Sequence, residues 1–128
     1  MPLGATVLDL GCGAGLDSLI ASRRIGPAGR VAAVDFSQVM LEHARRGAVA
    51  AHTKNIVFCR ADAERLPLPD ASVDLALVNG IFNLNPAREC IFHDLTRVVR
   101  QGGAVYSAEL ILSAALPPEQ QNADNWFA

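Results

Sequence analysis

The feature that most constrains this chain is the glycine-rich segment at residues 7–15, V-L-D-L-G-C-G-A-G. It is a short apolar run that ends in three glycines at alternate positions. A second apolar run, V-A-A-V-D, ends at Asp35, twenty residues after Gly15. A buried strand, a glycine-rich turn, a helix and an acidic residue closing the next strand form the ligand site of open α/β sheets. We therefore predict an α/β fold.

The same two segments indicate the kind of ligand. Glycine allows the backbone to approach a bound molecule closely, because it has no side chain in the way. A carboxylate at the end of the second strand can accept hydrogen bonds from ribose hydroxyls. The pattern therefore predicts a cofactor that contains a nucleoside.

The spacing of the glycines distinguishes between nucleoside cofactors. The dinucleotide fingerprint is G-x-G-x-x-G, and its third glycine would stand at position 16, which is Leu16. The chain also has no Gly-Lys-Ser/Thr step of a phosphate-binding loop. A nicotinamide oxidoreductase therefore remains only as a disfavoured alternative.

The order acidic-x-Gly-x-Gly-x-Gly, formed by Asp9, Gly11, Gly13 and Gly15, resembles that of class I S-adenosylmethionine-dependent methyltransferases. The resemblance implies S-adenosylmethionine as cofactor. It also implies a Rossmann-like, doubly wound parallel sheet with strand order 3-2-1-4-5, here without the strands 6 and 7 that are usual in that family.

Strand and helix signals alternate along the chain. Three helices are expected: one from Leu16 to the break at Gly26, one capped by Ser37, and one opened by Pro86 and ended by the glycines at 102 and 103. The five predicted strands are residues 6–10, 31–35, 55–60, 73–79 and 104–112. Parallel strands joined by such crossovers place ligands at their carboxyl ends.

The resemblance then assigns cofactor-binding residues to these strand ends. The turn and Asp9 would hold the methionine part, Asp35 the ribose hydroxyls, and Asp62 the adenine amino group. The full predicted set is Asp9, Gly11, Cys12, Gly13, Gly15, Asp17, Asp35, Phe36, Met40, Asp62, Ala63 and Asn79.

Several of these residues have a simpler interpretation. Asp9 and Asp17 can stabilise a turn or a helix N-terminus without touching a ligand. Phe36 and Met40, the predicted adenine contacts, have the spacing of core residues. Asp62 can be a solvated loop residue, and Cys12 can be a small residue of the turn. Catalytic residues are not predicted.

Two longer segments narrow the resemblance. Two groups of the family, the quinone-biosynthesis C-methyltransferases and the arsenite methyltransferases, have segments that resemble R-A-D-A-E-R-L-P-L-P-D-A-S-V-D-L-A-L-V-N and L-T-R-V-V-R-Q-G-G of this chain. The arsenite methyltransferases are the more similar group, because they also resemble the segment L-V-N-G-I-F-N-L-N-P. Arsenite methyltransferases place a metalloid-binding cysteine after the strand-four asparagine, where this chain has Gly80. The resemblance implies methyl transfer to a small acceptor, either an arsenite-like metalloid or a small organic molecule. The alternative is a cofactor-binding fragment without turnover.

The composition of the chain indicates where in the cell it is located and which partners it does not bind. The 128 residues fit one domain, 1–128, which we interpret as a truncated methyltransferase core. The chain lacks the ~18 continuous apolar residues of a membrane span and the pattern of a signal peptide. A net charge of −2 argues against nucleic acid, and three cysteines without C-x-x-C spacing predict reduced thiols, no metal site and a cytoplasmic location.

The predicted fifth strand would lie at an exposed, apolar edge of the sheet. Such an edge attracts a further strand, so a homodimer through it is expected. In the arsenite-type pattern a cysteine follows the tryptophan that corresponds to Trp126, so selenocysteine encoded by UGA directly after Ala128 is a further hypothesis.

Overall fold

The computed structural model describes residues 1–111, 113–115 and 117–118. Strands and helices alternate along the chain. Their bounds are β1 Thr6–Leu10, α1 Leu16–Ile25, β2 Arg30–Asp35, α2 Gln38–Ala50, β3 Ile56–Arg60, β4 Val73–Asn79, α3 Arg88–Val98 and β5 Val99–Ala108.

The five strands form one parallel sheet in the order β3-β2-β1-β4-β5. The predicted α/β fold and strand order 3-2-1-4-5 are confirmed. Because β1 lies between β2 and β4, the segments that follow these three strands meet at one edge of the sheet. Register brings Leu10 level with Val34 on one side and with Val78 on the other.

Alternate residues of β1 pack against helices on opposite faces of the sheet. Leu8 and Leu10 are fully buried in a cluster that includes Ile91 and Leu95 of α3. Val7 belongs to the other face, where the packing residues include Ala21 and Ile25 of α1. A central strand buried on both faces explains why its sequence is a continuous apolar run.

The segment from α3 to β5 corrects two predictions. We expected the glycines at 102 and 103 to end the helix and the strand to span residues 104–112. Instead α3 ends at Val98, and β5 begins at the next residue. Of the predicted strand end, Leu112 lies outside the described residues.

Gly102 and Gly103 allow β5 to bend. Pairing with β4 moves from Val73↔Val99 to Leu75↔Ala104, so five steps along β5 match two steps along β4. Gly102 has a φ of +79°, and a Cβ at Gly103 would come within 2.6 Å of Val99 Cγ1. Glycine is needed here to accommodate the extra residues, as in a β-bulge.

In the described part of the chain, every helix is too short or too polar to span a bilayer. The segment around Trp126, and Ala128, on which the selenocysteine hypothesis depends, lie outside the described residues.

Candidate functional site

The three glycines of the turn after β1 all adopt positive φ: +70° at Gly11, +52° at Gly13 and +86° at Gly15. Two of them are packed against other segments. A Cβ at Gly11 would overlap the Ile81 side chain, and a Cβ at Gly15 would lie 2.8 Å from the Cβ of Ala44 in α2. At Gly13 no atom lies within 4 Å of the same position. The turn therefore has one open point, at its centre.

Asp35 borders this open point. Its carboxylate is buried at the end of β2 and accepts two backbone hydrogen bonds, from Gly13 N–H at 2.9 Å and from Ser37 N–H at 2.8 Å. The residue thereby joins the loops after β1 and β2. Each carboxylate oxygen has a second acceptor position, so hydrogen bonds to a ligand hydroxyl remain possible.

Asp9 lies in β1, two residues before Gly11. It is buried within β1, and Oδ2 accepts a hydrogen bond of 2.5 Å from the hydroxyl of Ser18 in α1. Burial raises the pKa of the Asp9 carboxyl to about 6, although the bond from Ser18 opposes this. The helix-stabilising interpretation of Asp9 is thus supported by a contact, and a partly protonated carboxyl near neutrality follows.

Cys12 fits the interpretation of a small residue in the turn. It is buried against Ala33 and Leu41. Burial raises the pKa of its thiol to about 12, and the charges of Asp9 and Asp35 act in the same direction. The thiol is therefore protonated at neutral pH and is a poor nucleophile or metal ligand.

The two predicted adenine contacts lie on the surface. Phe36 is 71% exposed and Met40 is 43% exposed, so the core interpretation of this pair is wrong. The buried residues of α2 are instead Leu41, Ala44 and Ala48. Two exposed apolar side chains beside a buried carboxylate form a surface suited to a flat aromatic ligand.

Asp62 and Ala63 follow β3 on the same edge of the sheet. Ala61 N–H donates to the carbonyl of Asp35 at 3.1 Å, which ties this loop to the end of β2. Asp62 itself is exposed and Ala63 is half-buried. The structure thus brings the predicted adenine loop beside the predicted ribose residue.

On the opposite side of the turn, Asn79 ends β4 and Asp17 lies in the first turn of α1. Asn79 Nδ2 donates to Asp17 Oδ2 at 3.3 Å. Gly80, the next residue, has a φ of +68° and no atom within 4 Å of a Cβ placed there. The end of β4 is therefore a second open point at the same edge of the sheet, and we call the space along this edge, from Phe36 to Gly80, the candidate cleft.

Sequence inspection missed Glu109. It follows β5, and its carboxylate accepts backbone hydrogen bonds from Ile81 at 3.1 Å, Phe82 at 3.0 Å and Asn83 at 3.2 Å. The sequence offers no direct signal for it, because the contact joins segments about 27 residues apart and the residue fell inside the predicted fifth strand.

No group of three or more His, Cys, Asp or Glu side chains is arranged to hold a metal ion in residues 1–111, 113–115 and 117–118. The candidate cleft is bordered instead by the glycine turn, by carboxylates and by exposed apolar side chains. This composition suits an organic ligand with a nucleoside part.

Comparison with known proteins gives a consistent result. The methyltransferase domain family matches residues 3–127. Arsenite methyltransferase of Halobacterium salinarum is 36% identical over 121 residues, which cover 94% of this chain and 31% of that protein. Demethylmenaquinone methyltransferase of Lactococcus lactis is 33% identical over 106 residues, covering 83% of this chain and 42% of that protein.

Among solved structures, an arsenic(III) S-adenosylmethionine methyltransferase from Chlamydomonas reinhardtii superposes with a TM-score of 0.84 at 28% identity. The match covers 99% of this chain and 46% of that one. The chain thus spans less than half the length of these three relatives. The two groups of relatives are those that the sequence segments resembled.

Proposed function

Because this chain belongs to the family of S-adenosylmethionine-dependent methyltransferases, we propose that the cleft around Gly13 binds S-adenosylmethionine for methyl transfer to a small acceptor. The observation that carries the proposal is the open backbone of Gly13 directly beside the buried carboxylate of Asp35. Gly13 allows a ligand to approach the backbone closely, and Asp35 beside it can accept a hydrogen bond from a ligand hydroxyl. The ends of β2 and β4 lie on either side of Gly13, at the same edge of the sheet.

The methionine part of the cofactor is assigned to the turn after β1. The amides of Gly11, Cys12, Gly13 and Gly15 already donate to Val34, Asp35 or Cys12, so the carboxylate is assigned to the amide of Ala14 and the first amides of α1. Turn carbonyls and Asp9 can accept from the ammonium. Asp17 and Asn79 close this end of the cleft through their mutual hydrogen bond. Gly11, Cys12 and Gly15 contribute backbone and packing, since their Cβ positions face other segments of the protein.

The nucleoside part is assigned to the loops after β2 and β3. The free acceptor positions of Asp35 suit the ribose hydroxyls. Phe36 and Met40 provide the apolar surface for adenine, and Asp62 with the Ala63 backbone can bind its polar edge. Exposure of both apolar side chains supports this assignment, because it is costly in water and is relieved when a flat ring covers them.

S-Adenosylmethionine supplies a methyl group on a sulfonium, which is already an activated leaving group. The protein's part is to hold an acceptor within about 3–3.5 Å of the methyl carbon, in line with the breaking bond, and to exclude water. This requires no nucleophilic side chain. Gly80 and the loop after β4 border the cleft where such an acceptor would lie.

The names of the relatives suggest two acceptor classes, arsenite and a quinone precursor. Gly80 stands where the arsenite-type pattern has a cysteine, and the raised pKa of Cys12 keeps that thiol protonated. Arsenite bound by a thiolate at the end of β4 or in the glycine turn is therefore not supported. We propose one of two small acceptors: arsenite carrying its own thiol ligands, whose arsenic lone pair attacks the methyl group without loss of a proton, or a hydroquinone, which releases a proton to solvent when the methyl group is transferred.

A cofactor-binding domain without turnover is the second candidate. This chain spans 31% and 42% of the two curated relatives, so their activity is carried to it only as a proposal. Binding and turnover must therefore be measured separately.

The first test is calorimetric titration with S-adenosylmethionine and S-adenosylhomocysteine of the unmodified chain, Phe36→Ala and Val49→Ala. Val49 is 75% exposed on α2 and serves as the control for loss of an exposed apolar side chain. We expect micromolar binding, weakened about tenfold by Phe36→Ala and unchanged by Val49→Ala. Absence of binding, or equal effects of the two variants, would reject the site.

Turnover is tested by mixing the chain with S-adenosylmethionine and either arsenite plus a monothiol or a small hydroquinone. Formation of S-adenosylhomocysteine and a methylated product supports the methyltransferase. Binding without product from any acceptor supports the second candidate.

We also propose a cytoplasmic location, supported by Cys12, Cys59 and Cys90, all of which are free thiols. Cell fractionation with an antibody to the chain tests this. Recovery from an oxidising compartment would contradict it.

A further inference from the structure

The loop after β4 donates a series of hydrogen bonds to the last residue of β5 and the residue that follows it. Four consecutive backbone amides, residues 80–83, donate to Ala108 or Glu109. Glu109 receives three of them: Oε1 accepts from Ile81 and Phe82, and Oε2 accepts from Asn83. The Asn83 side chain in turn donates to the carbonyl of Leu110.

The same loop is anchored on its other side by an aromatic pair. The Phe82 ring stacks on Phe92 of α3, with centroids 4.3 Å apart and planes inclined by 7°. Phe82 is buried in the core cluster beneath the sheet. Phe82 thus anchors the loop in the core, and Glu109 holds its backbone amides.

Ile81 connects the loop after β4 to the glycine turn. A Cβ at Gly11 would lie 2.2 Å from Ile81 Cδ1 and 2.8 Å from Cγ1, so the Ile81 side chain occupies the space that Gly11 leaves empty. Gly11 N–H also donates to the carbonyl of Val34 at 2.8 Å, next to Asp35. Ile81 therefore packs directly on the turn assigned to the methionine part of the cofactor.

We propose that Glu109 is a positioning residue of the cofactor cleft, which fixes the loop after β4 and, through Ile81, the conformation of the glycine turn. This inference rests on the proposed function. A charge-assisted cluster of three N–H bonds is stronger than three neutral ones, and it holds the loop before any ligand arrives. A site held in its binding conformation has less entropy to lose on binding.

The consequence is that Glu109 influences cofactor affinity without touching the cofactor. In Glu109→Ala three amides lose their acceptor, so Ile81 is free to move from Gly11. We expect the affinity for S-adenosylhomocysteine to fall five- to tenfold. Glu109→Gln keeps an acceptor for Ile81 and Phe82 and loses only the bond from Asn83, so it should lose about twofold.

A double-mutant cycle separates positioning through Ile81 from a general loss of structure. Affinity for S-adenosylhomocysteine is measured in Glu109→Ala, Ile81→Ala and the double variant. If Glu109 acts through Ile81, the double variant binds as weakly as Ile81→Ala alone. Additive losses would overturn the proposal. Glu42→Gln, an exposed acidic residue of α2, is the control for the change of charge and should bind normally.

Amide hydrogen exchange gives a measurement that does not depend on ligand. We expect exchange at Ile81, Phe82 and Asn83 to accelerate at least tenfold in Glu109→Ala, with the amides of β1 unchanged. Unchanged exchange at these three amides would overturn the proposal. If the unmodified chain binds no S-adenosylhomocysteine, the proposed function fails, whereas the exchange rates still decide whether Glu109 holds the loop.

Discussion

Asn79 and Asp17, 62 positions apart in the chain, are joined by a hydrogen bond of 3.3 Å across the end of the sheet. Asn79 ends β4, and Asp17 lies in the first turn of α1, so the bond connects the two crossover units that flank the central strand. Asn79 donates through its amide nitrogen, and the Asp17 carboxylate accepts. The pair therefore forms one wall of the proposed cofactor cleft.

Replacement of Asn79 should distinguish loss of this bond from charge repulsion. Asn79→Ala removes an exposed hydrogen bond and should cost about 0.5 kcal/mol of unfolding free energy. Asn79→Asp places two carboxylates together and should cost about 1 kcal/mol at low salt. Urea unfolding at low and high salt tests this, because only the cost of Asn79→Asp should shrink with salt. Equal salt dependence would contradict the assigned contact.

Gly13→Ala should separate ligand binding from folding. Its φ of +52° makes any side chain unfavourable by about 1 kcal/mol, but a Cβ there meets no protein atom. The added methyl would instead lie where the cofactor is proposed to bind. We expect a folded protein with at least tenfold weaker binding of S-adenosylhomocysteine, measured by calorimetry.

Gly4→Ala is the matched control, since Gly4 has a φ of +76° and equally open surroundings. It precedes β1 and so lies at the other end of that strand. It should lose similar stability and bind normally. A similar loss of binding in both variants would argue that backbone strain, and not occupation of the cleft, is responsible.

The raised pKa of Asp9 predicts a specific dependence of stability on pH. A carboxyl whose pKa rises from 3.8 to about 6 on folding binds its proton more tightly in the native state. Its contribution to the unfolding free energy is therefore greatest below about pH 4, falls as pH rises through 6 and is constant above, a total change of about 3 kcal/mol.

Asp9→Asn removes this titration and keeps an acceptor for Ser18. Urea unfolding from pH 4 to 7 should show the variant gaining stability relative to the unmodified chain as pH rises. The pKa values of Asp74 and Asp94 are lowered, mainly by hydrogen bonds from Thr6 N–H and from Arg97 respectively. Their contributions to the unfolding free energy are therefore lost as the pH falls below about 4, and this loss is the same in both proteins. Parallel stability curves would show that Asp9 does not titrate as assigned.

The outer edge of β5 has no strand partner within the part of the chain that the structure describes, and we propose that it pairs with a second copy. Val105 and Tyr106 are 43% and 61% exposed along it. Two-fold symmetry would pair identical strands antiparallel and so extend the sheet. Light scattering at micromolar concentration should give a dimer.

Val105→Lys should convert this dimer to a monomer, because a charged side chain on an edge strand opposes pairing. Val57→Lys, at a 64% exposed position of the opposite edge strand β3, is the control and should stay dimeric. A monomeric unmodified chain, or equal dissociation of both variants, would reject pairing through β5.

Local sequence signals predicted most of the fold. The apolar runs of β1 and β4 and the N-cap at Ser37, which accepts from Met40 N–H at 3.4 Å, were identified because each depends on neighbouring residues. The same holds for the glycine turn and Asp35. Their assignment to a cofactor remains a prediction.

The parts that sequence inspection missed depend on contacts between distant segments. The glycines at 102 and 103 resemble a helix end, and only the register against β4 shows that they serve a bend in a strand. Glu109 and Ile81 become significant only when β5 and β1 lie on either side of β4. Such contacts follow from strand order and cannot be inferred from the spacing of residues alone.

The two backbone hydrogen bonds of Asp35 limit how this site can be redesigned. A different residue at position 35 would remove more than the proposed contact to a ribose hydroxyl, because the amides of Gly13 and Ser37 would also lose their acceptor. Engineering of another nucleoside preference should therefore keep the carboxylate and vary Phe36, Met40 or Asp62 around it. In this chain Asp35 is part of the scaffold, and under the proposed function the exposed positions beside it are the ones open to change.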